Sequence, residues 1–203
     1  MPNWCNNQMD ISGTKEMMDE VESALKEGEL LGKLLPVPPE LNITAGSLGH
    51  NTPEQLELEE KEKANREKYG YANWYDYCVN EWGTKWDISL VSYERLSETE
   101  ITLSFDTAWA PPIVAYEKLV EMGYEVSAYY YEPGMAFAGI FENGQDDYYE
   151  LNDLTADDVE EFLPESLNEL FAISETMREY EEENESDGQP DEAQEWESFD
   201  PDC

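Results

Sequence analysis

Residue types that could carry out acid–base, nucleophilic or metal chemistry are sparse in this sequence. The chain has one histidine, His50, which lies in the loop 46–51 with no cysteine or second histidine close by in sequence. A Ser-His-Asp triad, a Cys-His pair or a zinc site needs further groups that this loop does not offer. His50 is therefore predicted to be an exposed loop residue, and no catalytic residue is predicted.

The three cysteines do not form a metal-binding or disulfide pattern. Cys5, Cys78 and Cys203 are odd in number and have no C-x-x-C spacing, which argues against a disulfide framework, a zinc site and an iron–sulfur cluster. No cofactor is predicted, and a reducing compartment is expected. The N-terminus lacks a basic segment followed by an apolar run, and no stretch of about 18 apolar residues occurs, so we expect a cytoplasmic protein.

Carboxylates are the abundant functional group. The 203 residues include 49 Asp and Glu against 11 Lys and Arg, a formal net charge of −38 at pH 7. The pairs Asp146-Asp147 and Asp157-Asp158 could bind Mg²⁺ or Ca²⁺, but no loop has the ligand spacing of an EF-hand. Divalent cations are therefore expected to bind only weakly and diffusely.

Such a charge restricts the possible partners. DNA carries two phosphates per base pair, so 38 negative charges equal those of about 19 base pairs, and the protein should repel nucleic acid and anionic lipid. A surface rich in Lys and Arg should instead attract it, with electrostatic steering of association. The sequence predicts no direct nucleic-acid or membrane binding and a basic protein partner, for instance a nuclease or another nucleic-acid-binding complex.

The C-terminal part of the chain concentrates the uncompensated acid. Residues 145–203 contain 23 acidic residues and one basic residue, Arg178. Acidic side chains in a first helical turn also favour the helix dipole, so a single cluster is usually an ordinary solvated face. Here the same sign continues without the lysines that commonly supply i,i+4 partners, which favours a binding role. The predicted partner-binding residues are Asp146, Asp147, Glu150, Asp153, Asp157, Asp158, Glu160, Glu161, Glu165, Glu169, Glu175 and Glu179.

Hydrophobic periodicity predicts an α+β domain that positions these residues. Strands are predicted at 4–11, 87–93, 100–106, 124–131, 136–141 and 148–151, and helices at 15–26 and following Pro111-Pro112. The order strand, helix, strand, strand, helix, strand is that of a split βαβ, ferredoxin-like antiparallel sheet, with residues 34–82 as a helical insertion. Asn143-Gly144 is predicted to turn the last hairpin.

The domain organisation follows from composition. Residues 1–151 are expected to form the ferredoxin-like domain, and residues 152–180 an acidic helical extension with helices at 156–163 and from 165 to about 180. Residues 181–203 have too few apolar side chains to pack and are predicted to be a disordered acidic tail.

Aromatic residues are dense in 71–86, and we interpret them as a cluster that caps the core. Lys85 lies between Trp82 and Trp86 in sequence. It could form a cation–π site, but the favoured interpretation is a lysine stem passing two core tryptophans. Asn6 and Asn7 beside Trp4 could line a small pocket, although strand-end hydrogen bonding is the favoured role.

Three segments together resemble one family. These are Pro2-Asn3-Trp4-Cys5-Asn6-Asn7, the run W-G-T-K-W at 82–86, and Thr107-Ala108-Trp109-Ala110-Pro111-Pro112, joined by Tyr131-Glu132-Pro133-Gly134. The combination resembles the YubB-like ferredoxin-like domain family of phages and plasmids over about residues 1–142. The motif residues, interpreted as structural, are Trp4, Asn6, Asn7, Trp82, Gly83, Lys85, Trp86, Trp109, Pro111, Pro112 and Gly134.

The resemblance implies a fold and a mobile genetic element, but no catalytic residues. Small acidic proteins of phages and plasmids often look like inhibitors of host defence nucleases or other DNA-binding proteins. Charge and resemblance together predict a non-enzymatic inhibitor that mimics DNA or blocks a basic groove. An adaptor that binds a protein through the Trp-rich domain is the alternative, and an enzyme without a recognisable constellation is a third.

Overall fold

The computed structural model describes residues 3–187, with side chains described up to residue 183. The chain divides into two units, Met1–Asn152 and Asp153–Cys203. The first unit contains the strands β1 (Trp4–Ser12), β2 (Ser89–Ser97), β3 (Glu100–Ala108), β4 (Glu125–Glu132), β5 (Phe137–Glu142) and β6 (Gln145–Glu150). Its helices are α1 (Lys15–Glu27), α2 (Leu30–Leu34), α3 (Pro53–Tyr69), α4 (Trp74–Glu81) and α5 (Ile113–Glu121), with a 3₁₀ turn at Pro39–Leu41.

The six strands form one antiparallel sheet in the order β2-β3-β1-β4-β5-β6. β1 is central, so that Met9 lies opposite Leu103 on one side and Ala128 on the other. Side chains alternate between faces along a strand, and in β1 the positions of Cys5, Asn7, Met9 and Ile11 are all buried. The predicted α+β class is confirmed.

Helices cover the buried face of this sheet. Met18 and Val21 of α1 and Leu119 of α5 join Ile11 and Val126 in one hydrophobic cluster. The side chains recur at helical spacing, which places them on one side of each helix. Each large side chain removed from water contributes about 1.5–3 kcal/mol, so this cluster stabilises the sheet and both helices.

The ends of α1 show how local sequence fixes an element. The Thr14 hydroxyl accepts a hydrogen bond from the Met17 backbone N–H at 3.3 Å, which satisfies one of the free amides of the first turn. Gly28 ends the helix in the left-handed region with a φ of 74°. The observed bounds of α1 agree closely with the helix predicted at 15–26.

The last hairpin begins earlier than predicted. Asn143 and Gly144 both have positive φ, and β6 pairs with β5 directly from Gln145 rather than from residue 148. On β5, Gly139 leaves room for the ring of Tyr130, whose hydroxyl would overlap any Cβ at position 139. That hydroxyl donates to Asp146 Oδ1 at 2.9 Å, so one side chain links β4 to β6 across β5.

The strand β2 also differs from its prediction. It begins at Ser89 because the Asp87 carboxylate accepts hydrogen bonds from the backbone amides of Leu31, Gly32 and Ile88, which ties residue 87 to α2. The pairing with β3 then continues to Ser97, beyond the predicted end at 93, with two register shifts.

The second unit contains α6 (Ala156–Phe162), α7 (Glu165–Phe171) and α8 (Ile173–Asp187). A single helix was predicted from residue 165 to about 180; it is broken at Ala172, which has a φ of 49°. The Asn168 side chain accepts from the Ser174 backbone amide at 2.9 Å and so caps the start of α8. Ile173 and Leu167 are buried next to this break.

The end of α8 lies beyond its predicted limit. The helix continues through residues 181–187, the first part of the predicted disordered tail, while residues 188–203 of that tail lie outside the described residues. Among residues 3–187, no helix is both long enough and apolar enough to span a membrane.

Candidate functional site

All twelve acidic residues predicted to bind a partner are exposed. Nine belong to the second unit and three, Asp146, Asp147 and Glu150, to the edge strand β6 of the first. The helices α6, α7 and α8, called the acidic helices below, bury only a small apolar side that includes Val159 and Leu163. Their remaining positions carry the carboxylates into solvent.

Two of the acidic residues share one cation. Arg178 Nη2 lies 3.1 Å from Asp157 Oδ1 and 2.7 Å from Glu160 Oε2, and these carboxylates raise the pKa of the guanidinium. Within residues 153–183 the described ion pairs involve only this arginine. Residues 153–183 contain no other Lys or Arg, so cations within this part of the chain offset little of its negative charge.

Asp158 has a structural role. Thr155 Oγ1 accepts from the Asp158 backbone amide at 3.2 Å, and the Asp158 carboxylate accepts from the Thr155 backbone amide at 3.0 Å. This reciprocal pair is a capping box at the start of α6, and the hydrogen bonds hold the pKa of Asp158 below its usual value. Asp158 is exposed, but its carboxylate is already engaged.

The three acidic residues of β6 differ among themselves. Although Asp146 is exposed as a residue, partial burial of its carboxylate against the Tyr130 hydroxyl raises its pKa, while the hydrogen bond from that hydroxyl acts in the opposite direction. Asp147 accepts a hydrogen bond from the Gln145 side chain, and Glu150 accepts one from Asn152. Asp147 and Glu150 thus present charge at an edge that carries no covering strand within the described sheet.

Asn6 and Asn7, two of the residues interpreted above as structural motif residues, lie where β1 begins and β3 ends. Asn7 is buried; its amide donates to Cys5 O at 2.8 Å and Thr107 Oγ1 at 2.9 Å, and its Oδ1 accepts from the Tyr116 hydroxyl. Asn6 donates to Asp106 on the neighbouring strand at 2.8 Å. Both asparagines are engaged in hydrogen bonds within the protein.

A second group of motif residues holds α5 in place. Pro111 and Pro112 are buried immediately before the helix, and the Ala115 amide donates to Trp82 O at 3.2 Å. The Trp82 indole, also buried, donates to Leu35 O at 2.9 Å. Gly83 has a φ of 81°, a conformation that favours glycine, and lies against the backbone of the first turn of α5. Gly134 is exposed in the turn between β4 and β5, where its amide donates to Glu132 Oε1.

The surroundings of Lys85 differ from the favoured prediction. Its ammonium lies 4.5 Å from the ring centroid of Trp86, 5.5 Å from that of Tyr75 and 5.8 Å from that of Trp109. We call these four residues the Lys85 cluster. Trp82 is buried as expected, but Trp86 is 40% exposed, so Lys85 does not pass between two core tryptophans.

Sequence reasoning missed the contributions of Tyr75 and Trp109 to the Lys85 cluster. Trp86 and Trp109 stack with centroids 5.7 Å apart, although they are distant in sequence and follow no common period. Trp4 is also exposed, and the Trp109 amide donates to Asn3 O just before β1. The appearance of Trp86 and Trp109 within unusual motifs was the one signal in the sequence that could have paired them.

A cleft of about 560 Å³ adjoins the Lys85 cluster within the first unit. Its lining is mainly apolar, with the polar groups of Lys85, Asn42, Glu29 and Asp87 at its walls; the apolar residues are Pro36, Val37, Pro39, Trp74, Cys78, Trp82 and Trp86. The volume falls in the range of small-molecule sites.

The described cysteines and the histidine do not come together as a catalytic or metal-binding group. Burial raises the pKa of Cys78 to about 11 and that of Cys5 still further, so neither thiol is poised to be a nucleophile. His50 is exposed. Within residues 3–183, no group of three or more His, Cys, Asp or Glu side chains is placed to hold a metal ion.

Comparisons with known proteins give little further information. No family model and no curated protein matches this sequence. The crystal structure of the protein api92 from Yersinia pseudotuberculosis, described under the family model DUF1281, aligns with 76% of this chain and 100% of its own. The TM-score is 0.38 and the sequence identity 11%, values at which no conclusion about this chain follows from the likeness.

Proposed function

We propose that the protein is a non-catalytic inhibitor, encoded by a phage or plasmid, that acts in the host cytoplasm. It occupies the basic groove of a host nucleic-acid-binding or defence protein by presenting carboxylates where phosphates would bind. One observation carries the proposal: residues 153–183 contain 12 acidic residues against one arginine, and the predicted partner-binding carboxylates among them are exposed, all but Asp153 on folded helices.

Helical placement strengthens this mechanism. Carboxylates fixed on α6, α7 and α8 do not lose as much conformational freedom on binding as those of a free chain would. Attraction between this surface and a basic groove should accelerate association and weaken as salt increases. Because Arg178 engages Asp157 and Glu160, the residues proposed to contribute most are Glu161, Glu165, Glu169, Glu175 and Glu179.

The first unit is proposed to be a ferredoxin-like scaffold of the YubB-like family. Four neighbouring strands of the sheet, in the order β2-β3-β1-β4, are antiparallel and are connected through α1 and α5. This is the arrangement of a split βαβ sheet, which supports the proposal. Asn6 donates to Asp106 and Asn7 to Thr107, close in sequence to Trp109, and these contacts support the grouping of the motifs.

An adaptor remains the second candidate, favoured by a different observation. Trp4, Tyr75, Trp86 and Trp109 are each at least 40% exposed. Exposed tryptophans and tyrosines commonly anchor protein interfaces. In this alternative the first unit binds the partner, and the acidity serves mainly for solubility.

A pull-down from nuclease-treated bacterial lysate, at about 50 mM and about 200 mM salt, separates the two candidates. The bait variant E165Q/E169Q/E175Q/E179Q removes four unpaired charges from the second unit, and E60Q/E67Q/E117Q/E121Q removes four exposed charges from the first. We expect the wild-type bait to capture a DNA-binding partner, and we expect higher salt or added duplex DNA to release it. The variant of the second unit should fail to capture this partner, and the variant of the first unit should still capture it.

Two results would contradict the inhibitor. One is a partner that binds both quadruple variants but does not bind the variant Trp86→Ala, which is the result expected for the adaptor. The other is the absence of any salt-sensitive, DNA-displaceable partner. Circular dichroism of each variant verifies that the substitutions leave the helices intact.

A further inference from the structure

Lys85 is exceptional among the basic residues. Nine of the eleven Lys and Arg side chains form ion pairs with carboxylates, and within the described residues only Lys63 and Lys85 do not. Lys63 is exposed on α3, whereas Lys85 is half-buried. In a chain with 49 carboxylates, a half-buried lysine without one requires another explanation for its position.

Aromatic rings take the place of the missing carboxylate. The rings of Trp86, Tyr75 and Trp109 lie within 5.8 Å of the Lys85 ammonium, where their negative faces stabilise a cation. Aromatic rings are much weaker hydrogen-bond acceptors than a carboxylate. The three N–H donors of the ammonium thus keep the capacity to bind an anion.

The cluster is held at a conformational cost. Trp109 has a φ of 66°, which is rare for a bulky side chain, and its backbone amide donates to Asn3 O at 2.9 Å. The strained conformation accompanies the stack of Trp109 on Trp86 beside the lysine. Strained residues of this kind are concentrated at binding and catalytic sites.

We propose that the cleft beside Lys85 binds a small monocarboxylate with a flat apolar body. The carboxylate would pair with the Lys85 ammonium, and the body would lie against Trp74, Trp82 and the prolines of the lining. Glu29 and Asp87 line the same cleft, so a ligand with several negative charges is disfavoured. The site is independent of the proposed inhibitor function, which uses the acidic helices.

Three probes that share an indole ring test the charge preference: indole-3-acetate, the neutral indole-3-ethanol and the cationic tryptamine. Binding is followed in ¹⁵N-labelled full-length protein through the tryptophan indole N–H signals. We expect these signals to shift, with indole-3-acetate bound about tenfold more tightly than the alcohol, as for one charge-assisted hydrogen bond. Tryptamine should bind most weakly.

Lys85→Gln and Lys63→Gln form a matched pair, since each removes one lysine charge with no carboxylate partner. Lys85→Gln should abolish the preference for the acetate over the alcohol, and Lys63→Gln should retain it. Measurements on the wild type alone can overturn the proposal. They would do so if the three probes bound with equal affinity, or if no indole N–H signal shifted at about 10 mM probe. A preference that persists in a folded Lys85→Gln protein would overturn it as well.

Discussion

The two units of this protein treat negative charge in different ways. The 152 residues of the first unit contain 29 acidic and 10 basic residues, whereas the 51 residues of the second contain 20 and 1. Both therefore have the same net charge, but the second has it on one third of the length. In the first unit, lysines pair with acids one helical turn away, as in Lys15–Asp19 and Lys61–Glu57.

The contrast shows which part of the acidity has a local explanation. Arg95 of β2 binds both Asp19 and Glu22 of α1, so these carboxylates help attach a strand to a helix. Within residues 153–183, Arg178 is the one cation that does this for the acidic helices; Glu181 of α8 also accepts a hydrogen bond from the Ala156 amide of α6. Unneutralised charge destabilises a compact unit, and the proposed binding role would account for the composition of the second unit.

The largest effect is expected from Gly139→Ala, which tests the close packing of the first unit. The added methyl group overlaps the Tyr130 hydroxyl, so the ring or the strand must move, at a cost of about 1–3 kcal/mol. Urea unfolding curves, monitored by tryptophan fluorescence, measure the decrease in the free energy of unfolding. Gly13→Ala is the control, because its methyl group meets the flexible Met17 side chain; equal effects of both variants would contradict the interpretation.

Thr155→Ala tests how far the second unit depends on its helix caps. Loss of the capping box should destabilise α6 by about 0.5–2 kcal/mol, measured as faster hydrogen exchange of its backbone amides. The matched variant Thr14→Ala removes the cap of α1 and should accelerate exchange there instead. If Thr155→Ala leaves exchange in α6 unchanged, the small core suffices without the cap.

Asp146→Asn tests a carboxylate of the first unit that lies on the predicted partner surface. Burial raises the pKa of Asp146 in the folded state, so the folded protein binds this proton more tightly than the unfolded chain. As pH falls from neutral toward the ordinary value of 3.8, the wild type should gain stability relative to Asp146→Asn. Unfolding curves at several pH values give the difference, and a difference that is independent of pH would contradict the raised pKa.

The smallest effects on stability are expected from removing one ion-paired cation in each unit. Arg178→Gln leaves Asp157 and Glu160 without a cation, whereas Lys61→Gln frees only Glu57 on a helix with other lysines. Both pairs are exposed, so both changes are small, but Arg178→Gln should lower the thermal midpoint more, and most at low salt. An equal shift for the two variants would remove the electrostatic distinction between the units.

The fold was largely predictable because its signals are local. Thr14 begins α1 through its side-chain hydroxyl, whereas Gly28 and Asn143-Gly144 turn the chain through positive φ angles. The break at Ala172 was missed because alanine favours a helix, and the cap from Asn168 that replaces the continuing helix is a feature of tertiary structure. The exposure of the twelve acidic residues could be predicted because charged side chains are rarely buried. The Lys85 cluster could not be predicted, since it depends on contacts between segments distant in sequence.

The stack of Trp86 on Trp109 also has an optical consequence. Two indoles with centroids 5.7 Å apart and ring planes inclined by 30° couple electronically, and coupled transitions split into bands of opposite sign in circular dichroism. The native protein should therefore contain its own chromophore pair, and because Trp86 lines the cleft, a molecule that enters and tilts this ring would change the spectrum without a label.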